Sequence, residues 1–199
     1  SGKGGTGKTS ITAAFASLTS NTVFADCDVD AADLHIIFKP KPIYKSTFIS
    51  GHEAVIQQKQ CNKCGICYEY CQFQAVQLNP ISKEYHIDSS NCEGCKVCVE
   101  FCPQKAIEFP SKNCGEWYIS TTRFGPMVHA QLGITSENSG KLVSLVRSQA
   151  KAIAEDNNSN CLIVDGPPGI GCPVIASLTG ADAVLLVAEP TQSGIHDLY

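Results

Sequence analysis

The chain has 199 residues, 15 Lys and Arg against 19 Asp and Glu, and a net charge of −4. That length accommodates one domain or two small ones around a core that needs no disulfides. With 17% charged and 43% apolar residues the chain is neither disordered nor a polyelectrolyte. The mild negative balance offers no basic face for nucleic acid, and no apolar run approaches the ~20 residues of a membrane helix. No basic segment followed by an apolar one marks a signal peptide, so a cytoplasmic location and no membrane anchor are expected. Twelve cysteines are the anomaly, and eight of them fall within residues 61–102. In a reducing compartment clustered thiols point to metal or redox chemistry.

In chain order, Ser1-Gly2-Lys3-Gly4-Gly5-Thr6-Gly7-Lys8-Thr9 is a glycine-dense loop, and the Ala-rich stretch 10–18 predicts a helix. Residues 22–25 predict a buried strand ending at Asp26-Cys27-Asp28. Lys39-Pro40-Lys41-Pro42 is a break, and 44–49 predict a second strand. Sliding the chain by 31 positions superposes Cys61, Cys64, Cys67 and Cys71 on Cys92, Cys95, Cys98 and Cys102, which marks a duplicated unit over 59–110. Beyond it, 117–121 predict a strand and Gly125-Pro126-Met127-Val128-His129 a turn. Residues 141–154 have helical spacing, and Cys161-Leu162-Ile163-Val164-Asp165 and 183–188 read as buried strands. Strands alternating with helices predict a three-layer α/β domain with a parallel sheet. It is divided into residues 1–58 and 111–199 by a small α+β insert at 59–110.

Gly2-x4-Gly7-Lys8-Thr9 fits the phosphate-binding P-loop. Its glycines let backbone N–H groups converge on phosphates, Lys8 serves the β- and γ-phosphates, and the Thr9 hydroxyl serves Mg²⁺. A plain flexible, glycine-rich terminus is the bland alternative. By average residue frequencies a match arises by chance about once in a hundred chains of this size. A P-loop should follow a strand and the last run should continue, so both ends are expected to be truncated.

The run Lys3-Gly4-Gly5-Thr6-Gly7-Lys8-Thr9 resembles the deviant Walker A motif of the MinD/ParA/Mrp family of P-loop ATPases, which includes the nitrogenase iron protein. The resemblance implies a dimer closed around Mg·ATP, with a second copy or a paralogue. Gly4, Gly5, Thr6, Gly7, Lys8, Thr9 and Ser10 would then lie on the nucleotide, and Lys3 would reach across to the partner's phosphates. Asp28 matches the switch I aspartate and Asp165 the aspartate that holds Mg²⁺ through water. Gly166-Pro167-Pro168-Gly169 matches switch II, where the Gly169 N–H senses the γ-phosphate. Implied catalytic residues are Lys3, Lys8 and Asp28, and implied Mg²⁺ residues are Thr9, Asp28 and Asp165. Standing alone, each aspartate would read as a helix cap after a strand.

Cys61-x2-Cys64-x2-Cys67-x3-Cys71 and Cys92-x2-Cys95-x2-Cys98-x3-Cys102-Pro103 resemble the bacterial ferredoxin signature for two [4Fe-4S] clusters. The fourth cysteine of each motif there serves the other cluster. The resemblance implies one cluster on Cys61, Cys64, Cys67 and Cys102, and another on Cys92, Cys95, Cys98 and Cys71. All-cysteine zinc sites or disulfides are the competing readings, and Gln72 stands where the signature has proline. Five Lys against six Asp and Glu make the insert nearly neutral, as suits a relay inside a larger protein.

Of the other cysteines, Cys27 and Cys161 read as core and Cys114 as a loop thiol. Cys172 matches the position of a cysteine that bridges a shared cluster in the nitrogenase iron protein, or else packs at a helix start. The five histidines form no spaced set. The leading expectation is an ATPase that gates electron transfer through the two clusters to a redox protein. The alternatives are an ATP-dependent cluster carrier of the Mrp type serving an apoprotein, and an amide ligase similar to cobyrinic acid a,c-diamide synthase.

Overall fold

The computed structural model describes residues 5–133 and 138–192. They form a mixed α/β structure of two compact units. The first comprises residues 5–48, 115–133 and 138–192, and the second spans Ile49–Cys114.

The first unit is built on a five-stranded sheet of order β2-β7-β8-β1-β9. Strand β1 (Thr22–Asp26) is buried along its whole length, because Val23, Phe24 and Ala25 fill both faces. It pairs in parallel with β8 (Gly125–Leu132) on one side and with β9 (Cys161–Asp165) on the other. Alternation along β1 sends Phe24 one way and Val23 and Ala25 the other. Phe24 packs with Met127 of β8, with Ala16 of α1 (Lys8–Leu18), and with Leu34 and Phe38 of α2 (Leu34–Phe38). The Phe24 and Phe38 rings meet edge to face at 5.0 Å. Helix α5 (Ser139–Asp156) packs on β1, β8 and β9 and buries Leu142, Val143, Val146 and Ala150 completely.

The β8-β1-β9 end of the sheet is parallel and the β7-β8 pair is antiparallel, so the sheet is mixed, which corrects the expectation of a parallel sheet. Strand β7 (Ser111–Thr122) runs antiparallel to β8, with Trp117 opposite Ala130 and Ser120 opposite Met127. Residues 125–129, expected as a turn, are therefore strand. The reversal lies just before them, where Thr122 Oγ1 accepts the N–H groups of Phe124 at 3.1 Å and Gly125 at 3.2 Å. Strand β2 (Lys41–His52) forms the edge beyond β7.

A second correction concerns residues 183–188, which form no strand. Val184, Leu185 and Leu186 are about half exposed. An apolar run becomes a strand only beside a neighbour that completes its hydrogen-bond ladder, and no described strand pairs with this one. Cys27 is buried as expected, but Cys161 is exposed on β9. Cys114 is not a loop thiol: it is buried in β7, with its S–H donating to the Ser50 carbonyl at 3.1 Å.

The second unit interleaves the two halves of the repeat. Its elements are β3 (Val55–Ile56), α3 (Ile66–Tyr70), β4 (Val76–Leu78), β5 (Tyr85–Ile87), α4 (Val97–Glu100) and β6 (Ile107–Glu108). The opening strand of the first half pairs with the closing strand of the second, β3 with β6. The two inner strands, β4 and β5, pair with each other. Both pairings are antiparallel, and the unit begins before residue 59 because β3 belongs to it. The remaining described helix is α6 (Cys172–Leu178), and no described helix is long and apolar enough to cross a membrane.

Candidate functional site

Eight cysteines of the second unit gather around two cavities. One, of about 330 Å³ including its mouth, is lined by Cys61, Cys64 and Cys67 from the first motif and by Cys102 from the second. The other, of about 360 Å³, is lined by Cys92, Cys95 and Cys98 together with Cys71. Each fourth cysteine thus lines the cavity of the opposite motif. The crossing follows from the interleaved strands, which carry the end of each half across to the other. Ile56, Ala106 and Ile107 close the first cavity with carbon, and Ala54, Val76, Ile87 and Phe109 close the second.

For two of these sulfurs, Cys67 and Cys98, burial raises the affinity for protons, and neighbouring cysteines raise it further. The Cys67 thiol is pushed up by burial and then by Cys61, Cys64 and Cys102. The Cys98 thiol is pushed up to about 11 by burial, with Cys92, Cys67, Cys95 and Cys71 adding to the effect. Four thiolates so placed need a positively charged partner. A cradle of four sulfurs with apolar side chains among its walls fits a [4Fe-4S] cluster in donor type. Among the described residues no three His, Cys, Asp or Glu side chains form a site for a single metal ion.

The loops that hold the sulfurs repeat in backbone as well as in sequence. Lys63 and Gly94, 31 residues apart, have φ of 61° and 63°. Gly65 and Lys96 have 82° and 69°, and Gln74 and Lys105 have 54° and 49°. Left-handed residues turn the chain sharply, so that successive cysteines face inward. Glycine and lysine exchange between the halves, so backbone conformation alone does not explain where glycine stands. Contact does: a Cβ on Gly94 would collide with the backbone oxygen of His52. Gly94→Ala is therefore expected to destabilise the chain by about 2 kcal/mol or more, since left-handed strain of about 1 kcal/mol is compounded by a backbone clash. Lys63→Gly should change stability by less than about 1 kcal/mol, because it relieves that strain. Thermal unfolding of both variants checks the contrast.

In the first unit the carboxylates gather at the ends of β1 and β9. Asp26 and Asp165 are register partners on adjacent parallel strands, exposed by only 1% and 2%. Helix α1 points its first turn at them: Thr12 Oγ1 donates to Asp165 Oδ1 at 3.2 Å, and Thr9 donates to the same carboxylate. Oδ1 of Asp26 accepts the Asp28 N–H at 3.3 Å, and Oδ1 of Asp28 accepts the Ala31 N–H at 3.2 Å. The second oxygens, Asp26 Oδ2 and Asp165 Oδ2, are buried with no hydrogen-bond partner among the described residues. Burial raises the pKa of Asp26, with the charge of Asp165 next in effect. Burial likewise raises Asp165 and Asp28, and the Lys8 charge partly offsets both.

Gly5 and Gly7 precede α1 with φ of 90° and 88°, and a Cβ on either would meet no described residue within 4 Å. The loop leads into the helix that carries Lys8, Thr9 and Ser10, and Thr6 Oγ1 is buried there with no hydrogen-bond partner among the described residues. Lys3 and Gly4 lie outside the described residues. Gly169 follows β9 with φ of 89°. Asp26 is the residue that the sequence reading passed over. Its signal was the Asp-x-Asp spacing at a strand end, which turns two carboxylates toward the same side.

Cys172, exposed at the start of α6, lies against α5: a Cβ on Gly140 would be 3.1 Å from Cys172 Cβ. It joins neither cysteine set. His129 is engaged within the sheet, with its Nε2 2.8 Å from Ser120 Oγ and its ring stacked on Tyr118 at 5.0 Å.

Residues 54–109 match the family model of the 4Fe-4S dicluster domain. The whole chain is similar to two proteins of Methanocaldococcus jannaschii. Uncharacterized protein MJ0579 is 27% identical over 200 residues, covering 98% of this chain and 70% of that protein. Uncharacterized protein MJ0578 is 37% identical over 205 residues, covering 99% of this chain and 68% of its own length. A resemblance of that extent, running through both units, means that the chain belongs to the protein family of MJ0578, and that it carries a 4Fe-4S dicluster domain within it.

Proposed function

We propose that this protein couples Mg·ATP binding and hydrolysis in its sheet unit to one-electron transfer through two [4Fe-4S] clusters in its second unit. The observation that carries the reading is one of chain order: the residues that build the two four-cysteine cavities fall, along the sequence, between the strand that ends at Asp26 and the strand that ends at Asp165. Electron-carrying groups and a nucleotide switch would then share one chain.

Cys61, Cys64, Cys67 and Cys102 hold the first cluster; Cys92, Cys95, Cys98 and Cys71 hold the second. Bound there, the clusters supply reversible one-electron storage. On the other unit the fit rests on the carboxylate oxygens of Asp26 and Asp165 that have no partner among the described residues, and on the left-handed glycines Gly5 and Gly7 at the start of α1. Bound there, Mg·ATP supplies a phosphoryl group whose transfer to water drives the cycle. The backbone N–H groups of Gly5, Gly7 and Lys8, at the positive end of α1, take the phosphate charge, and the Lys8 ammonium adds to it. Thr9, Asp165 and Asp26 would hold the metal, and Asp28 would position the attacking water. In a dimer of two copies Lys3 supplies a further cation from the neighbouring chain, and Gly169 reports the γ-phosphate. A cytoplasmic setting and a redox protein as electron acceptor belong to the same proposal.

The test is anaerobic reconstitution of the full chain, followed by iron analysis and electron paramagnetic resonance with and without Mg·ATP. The expected result is about eight irons per chain, with a shift in cluster potential or in the rate of acceptor reduction on adding Mg·ATP. If neither responds, the coupling is rejected. Loss of iron from this chain to an apoprotein under Mg·ATP would instead assign it as a cluster carrier.

A further inference from the structure

The two cysteine cavities are built by a repeat, yet their linings are unequal, and the difference falls on groups that set a reduction potential. Position 85 of the second half corresponds to position 54 of the first. At the first cavity this place is filled by Tyr85; at the second it is filled by Ala54, which is 4% exposed. The Tyr85 hydroxyl lies 2.9 Å from the point where a Cβ on Gly65 would stand, between Cys64 and Cys67. It is therefore an O–H donor at the loop that presents those sulfurs.

Other groups point the same way. At the first site the Lys63 N–H donates to Cys61 Sγ at 3.4 Å and the Ala106 N–H to Cys102 Sγ at 3.3 Å. The second cavity is lined by Glu93, and the Lys96 beside it is paired with Glu100 at 2.6 Å. A donor aimed at cluster sulfur stabilises the electron added on reduction, and a nearby carboxylate opposes it. We propose that Tyr85 sets the two sites apart, making the site of Cys61, Cys64, Cys67 and Cys102 the more readily reduced. The inference rests on the two-cluster reading above. Each reduction adds one electron to a cluster, with dithionite as donor in the test, and breaks no bond.

The experiment is a dithionite titration at controlled potential of the reconstituted full chain, followed by electron paramagnetic resonance. Wild-type protein is expected to show two one-electron steps, the higher assigned by its absence in Cys64→Ala. Tyr85→Phe, which keeps the ring, should move the higher step down by about tenfold in its equilibrium, about 59 mV for one electron, and leave the lower step in place. Glu93→Gln should raise the lower step alone. A single wild-type step, or a Tyr85→Phe curve that superposes on wild type, overturns the assignment. An iron content below two clusters in wild type overturns the reading beneath it, and this inference with it.

Discussion

Cys102→Ala is expected to abolish the cluster held by the first cysteine motif, although Cys102 belongs to the second. Iron should fall from about eight to about four per chain, and the surviving paramagnetic signal should match that of Cys64→Ala. Cys71→Ala should give the complementary result, matching Cys95→Ala. The reasoning is geometric. Cys102 lines the cavity of Cys61, Cys64 and Cys67, while Cys71 lines that of Cys92, Cys95 and Cys98. Uncrossed ligation would pair Cys102→Ala with Cys95→Ala, so the two arrangements give opposite spectra. Because cluster binding contributes directly to folding, each loss should also lower the unfolding temperature. Cys114→Ala is the control. Its sulfur donates to the Ser50 carbonyl and lines neither cavity, so iron should be retained.

How much of this could be read from the residues divides along a physical line. Local or strictly periodic features were legible: the continuous apolar runs of β1 and β9, the helical spacing of α5, and above all the 31-residue offset. That offset reappears in matched left-handed residues, in stacked Tyr70 and Phe101 at 4.8 Å, and in the interleaved strands. Features decided by distant partners were not legible. Gly125-Pro126 suggests a turn by composition, but β8 becomes a strand because β1 and β7 flank it. The run 183–188 has the composition of a strand and no described neighbour to make it one. Helix α2 is five residues long, too short for its periodicity to stand out, and is fixed by burying Leu34 and Phe38 against Phe24. Asp26 illustrates the same limit in the site. Its sequence neighbours suggest a strand terminus, and only the parallel register with Asp165 turns it into half of a buried pair.

That pair carries the other large effect. Asp26 and Asp165 are both held above their ordinary value of 3.8, chiefly by burial. The folded chain therefore binds protons at this site more tightly than the unfolded chain. The stability linked to that difference is fully present below pH 3.8 and is lost as pH rises through the folded-state values. At neutral pH without metal, the pair should thus weaken the fold. Asp26→Asn is expected to raise metal-free stability there by about 1–3 kcal/mol, the scale of removing an uncompensated buried charge. Other carboxylates act in the opposite sense: Asp88, Glu100 and Glu116 are held low by hydrogen-bonding partners. The informative quantity is accordingly the difference between wild type and variant across pH, which should grow from acid toward neutral. Mg²⁺ should reverse the order. On the proposed reading a divalent cation would satisfy the second oxygens of Asp26 and Asp165 in place of a proton, and at a hundred times its dissociation constant it would stabilise the wild type by about 2.7 kcal/mol. Asp26→Asn and Asp165→Asn should lose most of that gain. If the chain hydrolyses Mg·ATP as proposed, both should do so at least about a hundredfold more slowly, since a metal that neutralises transferring phosphate contributes several kcal/mol. Thermal unfolding with and without Mg²⁺ separates the possibilities. If wild type gains nothing from Mg²⁺ while Asp26→Asn is still more stable, the pair is a strained structural acid. If Asp26→Asn is less stable at every pH, burial is not the force acting on it, and Asp26 is held by bonds that asparagine cannot replace.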